Sequence, residues 1–104
     1  MYLQEEEVEL AYPHVKRAYE LDPTMPEAAF LLSVAKAMKG HYDEALPLLE
    51  DTIRLKPDFH EAHYNMAVIY LELGQYEEAR TAIDRAIEIE PKESYLELQN
   101  SLIH

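Results

Sequence analysis

The 104-residue sequence contains no cysteine and only two glycines. Without cysteine there is no disulfide and no thiol nucleophile, and the redox compartment leaves no trace in the chain. Basic residues are also few, 9 against 21 acidic ones, for a net charge of −12. A surface of that sign repels phosphate backbones and anionic lipid, so nucleic acid and membranes are not expected partners. Any protein partner is expected to be basic or apolar. No apolar run approaches the length needed to span a bilayer. The N-terminal MYLQEEEVEL lacks the basic-then-apolar order of a signal peptide, and a cytoplasmic location is the expectation. What remains is rich in Ala, Leu, Glu and Tyr, which together with scarce glycine predicts an all-α chain. The length suits one small domain, 1–104, with a modest core.

The sequence repeats itself. Ala11, Ala45 and Ala79 are 34 residues apart, as are Val15, Leu49 and Ile83, then Leu21, Leu55 and Ile89, and finally Pro23, Pro57 and Pro91. Pro13 and Pro47 keep the same register. GHYDEA at 40–45 matches GQYEEA at 74–79, and EAAFLLSVAKAMKG matches EAHYNMAVIYLELG upstream of them. A 34-residue period with a Gly-x-Tyr-x-x-Ala turn and a closing Pro resembles the tetratricopeptide repeat, a helix–turn–helix unit that stacks on its neighbours. The resemblance implies a right-handed solenoid of antiparallel helix pairs with about six helices. Two full repeats, 26–59 and 60–93, are flanked by a partial repeat at 1–25 and a terminal or capping helix at 94–104. Beginning and ending inside a repeat is what a piece of a longer protein would show.

Local signals fill in the elements. Thr24 with Glu27, and Asp58 with Glu61, have the spacing of capping boxes, and Ser94 with Glu97 predicts that the last helix starts two residues late. Gly40 and Gly74 are expected to end helices in the left-handed conformation. Pro47 is expected in the first turn of its helix, where a missing N–H costs little. Glu5–Glu7 read either as a solvated turn or as part of one helix over 2–22. Ser33, Ala45, Ala67, Ala79 and Ala86 should let helices approach, with Leu32, Leu49, Ile53, Met66, Ile83 and Ile87 filling between them. The family usually carries a large aromatic near Ala29 and His63 and a Tyr where Lys36 stands. Here the Lys36 head is expected to reach solvent.

In such solenoids the first helix of each repeat lines a concave, peptide-binding groove. Carried over by register, the groove face is Phe30, Val34, Ala37 and Met38, then Tyr64, Asn65, Val68 and Leu71, then Tyr95, Leu98 and Leu102. Glu27, Glu61 and Glu72 form its rim. Such an apolar face is an interaction site, and the expected ligand is an apolar or amphipathic peptide with Lys or Arg meeting the acidic rim. Of the carboxylate-clamp residues that hold acidic chaperone tails in one subclass, only Asn65 matches, and the net charge opposes that ligand. A chaperone-like holder of apolar cargo is compatible with the charge. So is self-assembly through open ends, where Val8, Tyr12, Val15 and Tyr19 lack a neighbour.

No catalytic set, metal site or cofactor is expected. HEAH at 60–63 sets two His three apart, unlike the zinc-protease spacing. His60 and His63 read as packed or surface residues, and His14, His41 and His104 are scattered.

Overall fold

The computed structural model describes the backbone of residues 5–103 and the side chains of residues 12–102. The described residues form six helices: α1 (Glu5–Leu21), α2 (Pro26–Met38), α3 (Tyr42–Leu55), α4 (His60–Glu72), α5 (Tyr76–Ile89) and α6 (Glu93–Ile103). No strand occurs among the described residues. The helices fall into two compact units, one ending at Leu55 with α1–α3 and one beginning at Lys56 with α4–α6.

The turns explain why helices form where they do. α2 and α4 both stop at a glycine with positive φ, Gly40 at 80° and Gly74 at 75°. In each turn the glycine N–H bonds back to the third carbonyl before it, Ala37 at 2.9 Å and Leu71 at 3.1 Å. The next N–H reaches one residue deeper, His41 to Lys36 at 2.9 Å and Gln75 to Tyr70 at 2.8 Å. This pairing satisfies the last carbonyls and demands a residue free of the Cβ penalty. α1, α3 and α5 each end two residues before Pro23, Pro57 and Pro91, which remove an N–H and disfavour helix before them.

The capping boxes do not form. α2 is capped by Met25 and α4 by Phe59, neither with a side-chain hydrogen bond. Each cap lies one residue after the Thr24 or Asp58 that a capping box would use. Pro26 opens α2 and has no N–H to cap. Thr24 turns back instead, donating both its N–H and its hydroxyl to the Asp22 carboxylate. These bonds, the hydroxyl's first, hold the Asp22 carboxyl below its ordinary pKa. The last helix starts at Glu93, before Ser94 rather than after it.

Glu5–Glu7 open α1 as helix, not as a turn, while residues 2–4 of the expected longer helix lie outside the described residues. Pro47 is the sixth residue of α3, beyond the first turn, so the Asp43 carbonyl has no N–H to meet at that step.

In the first unit α2 packs against both α1 and α3, and in the second α5 packs against both α4 and α6. The small residues lie where helices touch: Ser33, Ala45, Ala67, Ala79 and Ala86 are buried, beside Leu32, Leu49 and Ile83. Met66, Ile53 and Ile87 are half-buried at the edges.

The three departures from the family pattern are accommodated differently. Ala29 leaves no gap open to water, being fully buried. His63 is buried, and its Nε2 meets the Pro57 carbonyl at 3.2 Å. Lys36 does not lift its head free of the protein. Its side chain is 19% exposed and its ammonium lies 3.4 Å from Glu44 and 5.2 Å from the centre of the Tyr12 ring. One lysine thereby ties α2 to α1 and to α3. Its hydrogen bond to Tyr12 is the main cause that holds its pKa above the ordinary lysine value.

Candidate functional site

In the first unit the face of α2 not taken up by packing carries Phe30, Val34 and Ala37, all half-buried, and Met38, 40% exposed. Leu31, 45% exposed, joins this side of the helix. It escaped the sequence reading, although its register mate Asn65 was included. Glu27 at the first turn is exposed. A Leu and a Met left this accessible have a hydration cost that a ligand would remove.

In the second unit Tyr64, Asn65, Val68 and Leu71 occupy the matching face of α4 and are half-buried, with Glu61 and Glu72 exposed. Tyr64 stacks on Tyr95 of α6 with ring centres 4.7 Å apart. The Tyr95 hydroxyl lies 2.8 Å from His60 Nδ1.

The residues carried onto α6 need correction. Tyr95 is 3% exposed and Leu102 is 7% exposed, so both belong to the core of the second unit. Leu98 is half-buried and packs against that core. The reason lies in the pattern of the helix itself. α2 and α4 bury Ala28, Ala29, Leu32 and Ser33, or Ala62, His63 and Ala67 with Met66 half-buried. The same register on α6 reads Leu96, Glu97, Asn100 and Ser101, all exposed. With that side polar, the only apolar face α6 can bury is Tyr95–Leu98–Leu102, spaced three and four apart.

Polar contacts fix α6 in that orientation. Gln99 donates to Asp84 at 2.9 Å, and Arg80 donates to the Leu102 carbonyl at 3.1 Å, at the helix end where a cation is favoured.

His60, His63 and His41 sit in three separate settings. His60 Nδ1 is hydrogen-bonded with the Tyr95 hydroxyl, its Nε2 lies 3.5 Å from Glu61, and burial lowers the His63 pKa. His41 is less isolated than the sequence suggested. The turn into α3 brings it together with Asp43 and Glu44, their ligand atoms within 4.8 Å of one another, all exposed. Glu44 is already paired with Lys36 and His41 at 3.4 Å each, and the group sits at a helix N-terminus, which disfavours a cation.

The sequence profile of the family described as tetratricopeptide repeat matches residues 36–102. Among solved structures, the chain is similar to YrrB, described as a TPR protein with an unusual peptide-binding site, at 31% identity and a TM-score of 0.82, over 92% of this chain and 50% of that one. It is similar to a Thermobaculum terrenum O-GlcNAc transferase mutant at 25% identity and TM-score 0.88, over 96% of this chain but only 19% of the enzyme. The fold is shared with SycD, the Yersinia enterocolitica type III secretion translocator chaperone, at 20% identity and TM-score 0.79, over 96% of this chain and 70% of that one. The chain therefore spans half the length of YrrB and a fifth of the transferase. No curated protein sequence matches it.

Proposed function

The chain belongs to the tetratricopeptide repeat family, an all-α repeat fold whose members act as protein–protein interaction modules, and from that premise we propose that the open faces of α2 and of α4 bind an apolar or amphipathic peptide carrying Lys or Arg. The observation that carries this reading is the α2 face: Leu31, Val34 and Met38 remain accessible at helical spacing, with Glu27 beside them. Apolar surface supplies affinity, while acidic flanks favour a basic peptide and speed its approach. On α4 the equivalent contact side chains are Val68 and Leu71, flanked by Glu61 and Glu72. The likeness to a repeat protein described as having a peptide-binding site supports the reading. A cytoplasmic location and the absence of catalysis are part of the proposal; no helix among the described residues is long and apolar enough to cross a membrane.

A pair of helical peptides tests it, identical in their apolar positions but flanked by Lys in one and Glu in the other. Fluorescence anisotropy should show the Lys-flanked peptide binding more tightly, with the gap narrowing as salt screens the charges. Leu31→Glu should weaken both. If the Glu-flanked peptide binds as well, or Leu31→Glu changes nothing, the reading fails.

A further inference from the structure

The exposed strip of α2 is narrow. Glu27, Leu31 and Met38 are exposed, and Val34 beside them is half-buried. These positions are four, three and four residues apart, which sets them in one row along the helix axis. Ala28, Leu32 and Ala35 on one side of the row are buried, and Phe30 and Ala37 on the other are half-buried. The same row on α4 reads Glu61, Asn65, Val68 and Glu72, so of these two helices only α2 has a row with three apolar members. The row also has a direction. Glu27, in the first turn of α2, is paired with no cation among the described residues. Arg54, where α3 ends, is already paired with Asp51. Beyond Met38 stand exposed charges of both signs, Lys39, Asp43 and Glu44, with Glu44 paired with Lys36 and His41. The Glu27 end therefore gives the row its charge asymmetry.

We propose, on the reading that this face binds a basic amphipathic peptide, that the ligand of α2 is itself a helix lying antiparallel to it, with a Lys or Arg near the ligand's C-terminus against Glu27. Leu31 and Met38 are seven residues apart, a rise of about 10.5 Å in a helix. A ligand helix has the same rise, so its own apolar residues at three–four spacing stay on the facing side along the whole row. An extended peptide covers that distance in about three residues, and residues three apart turn to opposite sides. It would meet Leu31 and lose Met38. Direction follows from charge. A cation near the C-terminus of a helix is favoured by that helix's own dipole. In the antiparallel arrangement this cation lies beside Glu27, and the two helix dipoles oppose each other. In the parallel arrangement the cation would lie at the Lys39 end, and two positive helix N-termini would meet.

Two peptides of one composition test this. Both carry apolar residues at three–four spacing and are held helical by a side-chain staple, with a single Lys at the C-terminal end of one and at the N-terminal end of the other. The peptide with the C-terminal Lys should bind the full chain about threefold more tightly. Glu27→Lys should reverse that order, since Glu27 is exposed and the substitution leaves the apolar row intact. A nitroxide on the peptide's N-terminus should broaden the amide signals near Met38 of the isotope-labelled chain, and one on its C-terminus those near Glu27. Broadening in the opposite order, or alike at both ends, overturns the proposal. So does a preference that survives Glu27→Lys, or an unstapled peptide with a central Pro that binds as tightly as the stapled one. If both stapled peptides bind equally, the peptide-binding reading stands and the antiparallel helix falls. If neither binds, both fall.

Discussion

The two units follow one 34-residue plan and complete it with different chemistry. In the first, a lysine on α2 stands where the second unit has Tyr70. Lys36 spans from Tyr12 to Glu44 and holds three helices by charge and ring contact. In the second, Tyr64 stacks on Tyr95, whose hydroxyl is taken up by His60. The consequence is a difference in what is left accessible. The α2 face keeps Leu31 and Met38 open, while α6 turns Tyr95, Leu98 and Leu102 inward and leaves Leu96 exposed. A repeat register thus fixes which residues correspond, but burial follows from what each helix has on its remaining sides.

The largest break in this comparison should come from Tyr95→Ala. Removing a buried aromatic that anchors α6 should cost about 3–5 kcal/mol of unfolding free energy. Leu31→Ala, on the exposed face of the other unit, should cost less than about 1 kcal/mol. Equal losses in denaturant titrations would mean that the two faces are not differently buried.

Next in size are Gly40→Ala and Gly74→Ala. Nothing lies within 4 Å of a Cβ at either site, so only the positive φ is penalised. Each should cost about 1–2 kcal/mol, and nearly the same in both units. A large disparity would show that the turns differ in more than backbone conformation.

Lys36→Met tests the charge tie, and its effect should be smaller, within about 1 kcal/mol and shrinking as salt is added. A salt-independent loss would point to packing of the lysine stem instead.

The smallest and most specific effect is one of pH. Burial, and secondarily the nearby Arg85 charge, lower the His63 pKa below its ordinary 6.5, against the opposing pull of the Pro57 carbonyl. The neutral ring is therefore favoured in the folded chain. Its contribution is complete above the ordinary histidine pKa and is lost as pH falls through the lower folded value. Denaturant midpoints should fall as the pH drops below the ordinary histidine value, and His63→Gln should flatten that part of the profile. A profile unchanged by the substitution would assign the slope to other groups.

Much of the fold was legible because the signals were redundant. Gly40 and Gly74, the three closing prolines and the small residues at helix contacts each mark the same period, and any one would place the helices. The helix N-termini were less legible. A capping box is a local pattern that competes with a proline at the first helical position, and with Pro26 present Thr24 found Asp22 instead. On α2 and α4 the residues carried over by register remain at least partly accessible, as a ligand face requires. On α6 two of the three are buried. The register assigned Tyr95 and Leu102 to the ligand face, but Glu97, Asn100 and Ser101 made the other side too polar to bury. That inference was available from the sequence, had each face of α6 been weighed for its own polarity.

The most direct test of the account is where a basic amphipathic peptide lands. Backbone amide shifts of the isotope-labelled chain, titrated with the Lys-flanked peptide, should move most along α2 and α4, at Leu31, Val34, Met38, Val68 and Leu71. Changes confined to α3 and α5, or none at saturating peptide, would contradict the claim that the open faces of the first helices are where this protein meets its partner.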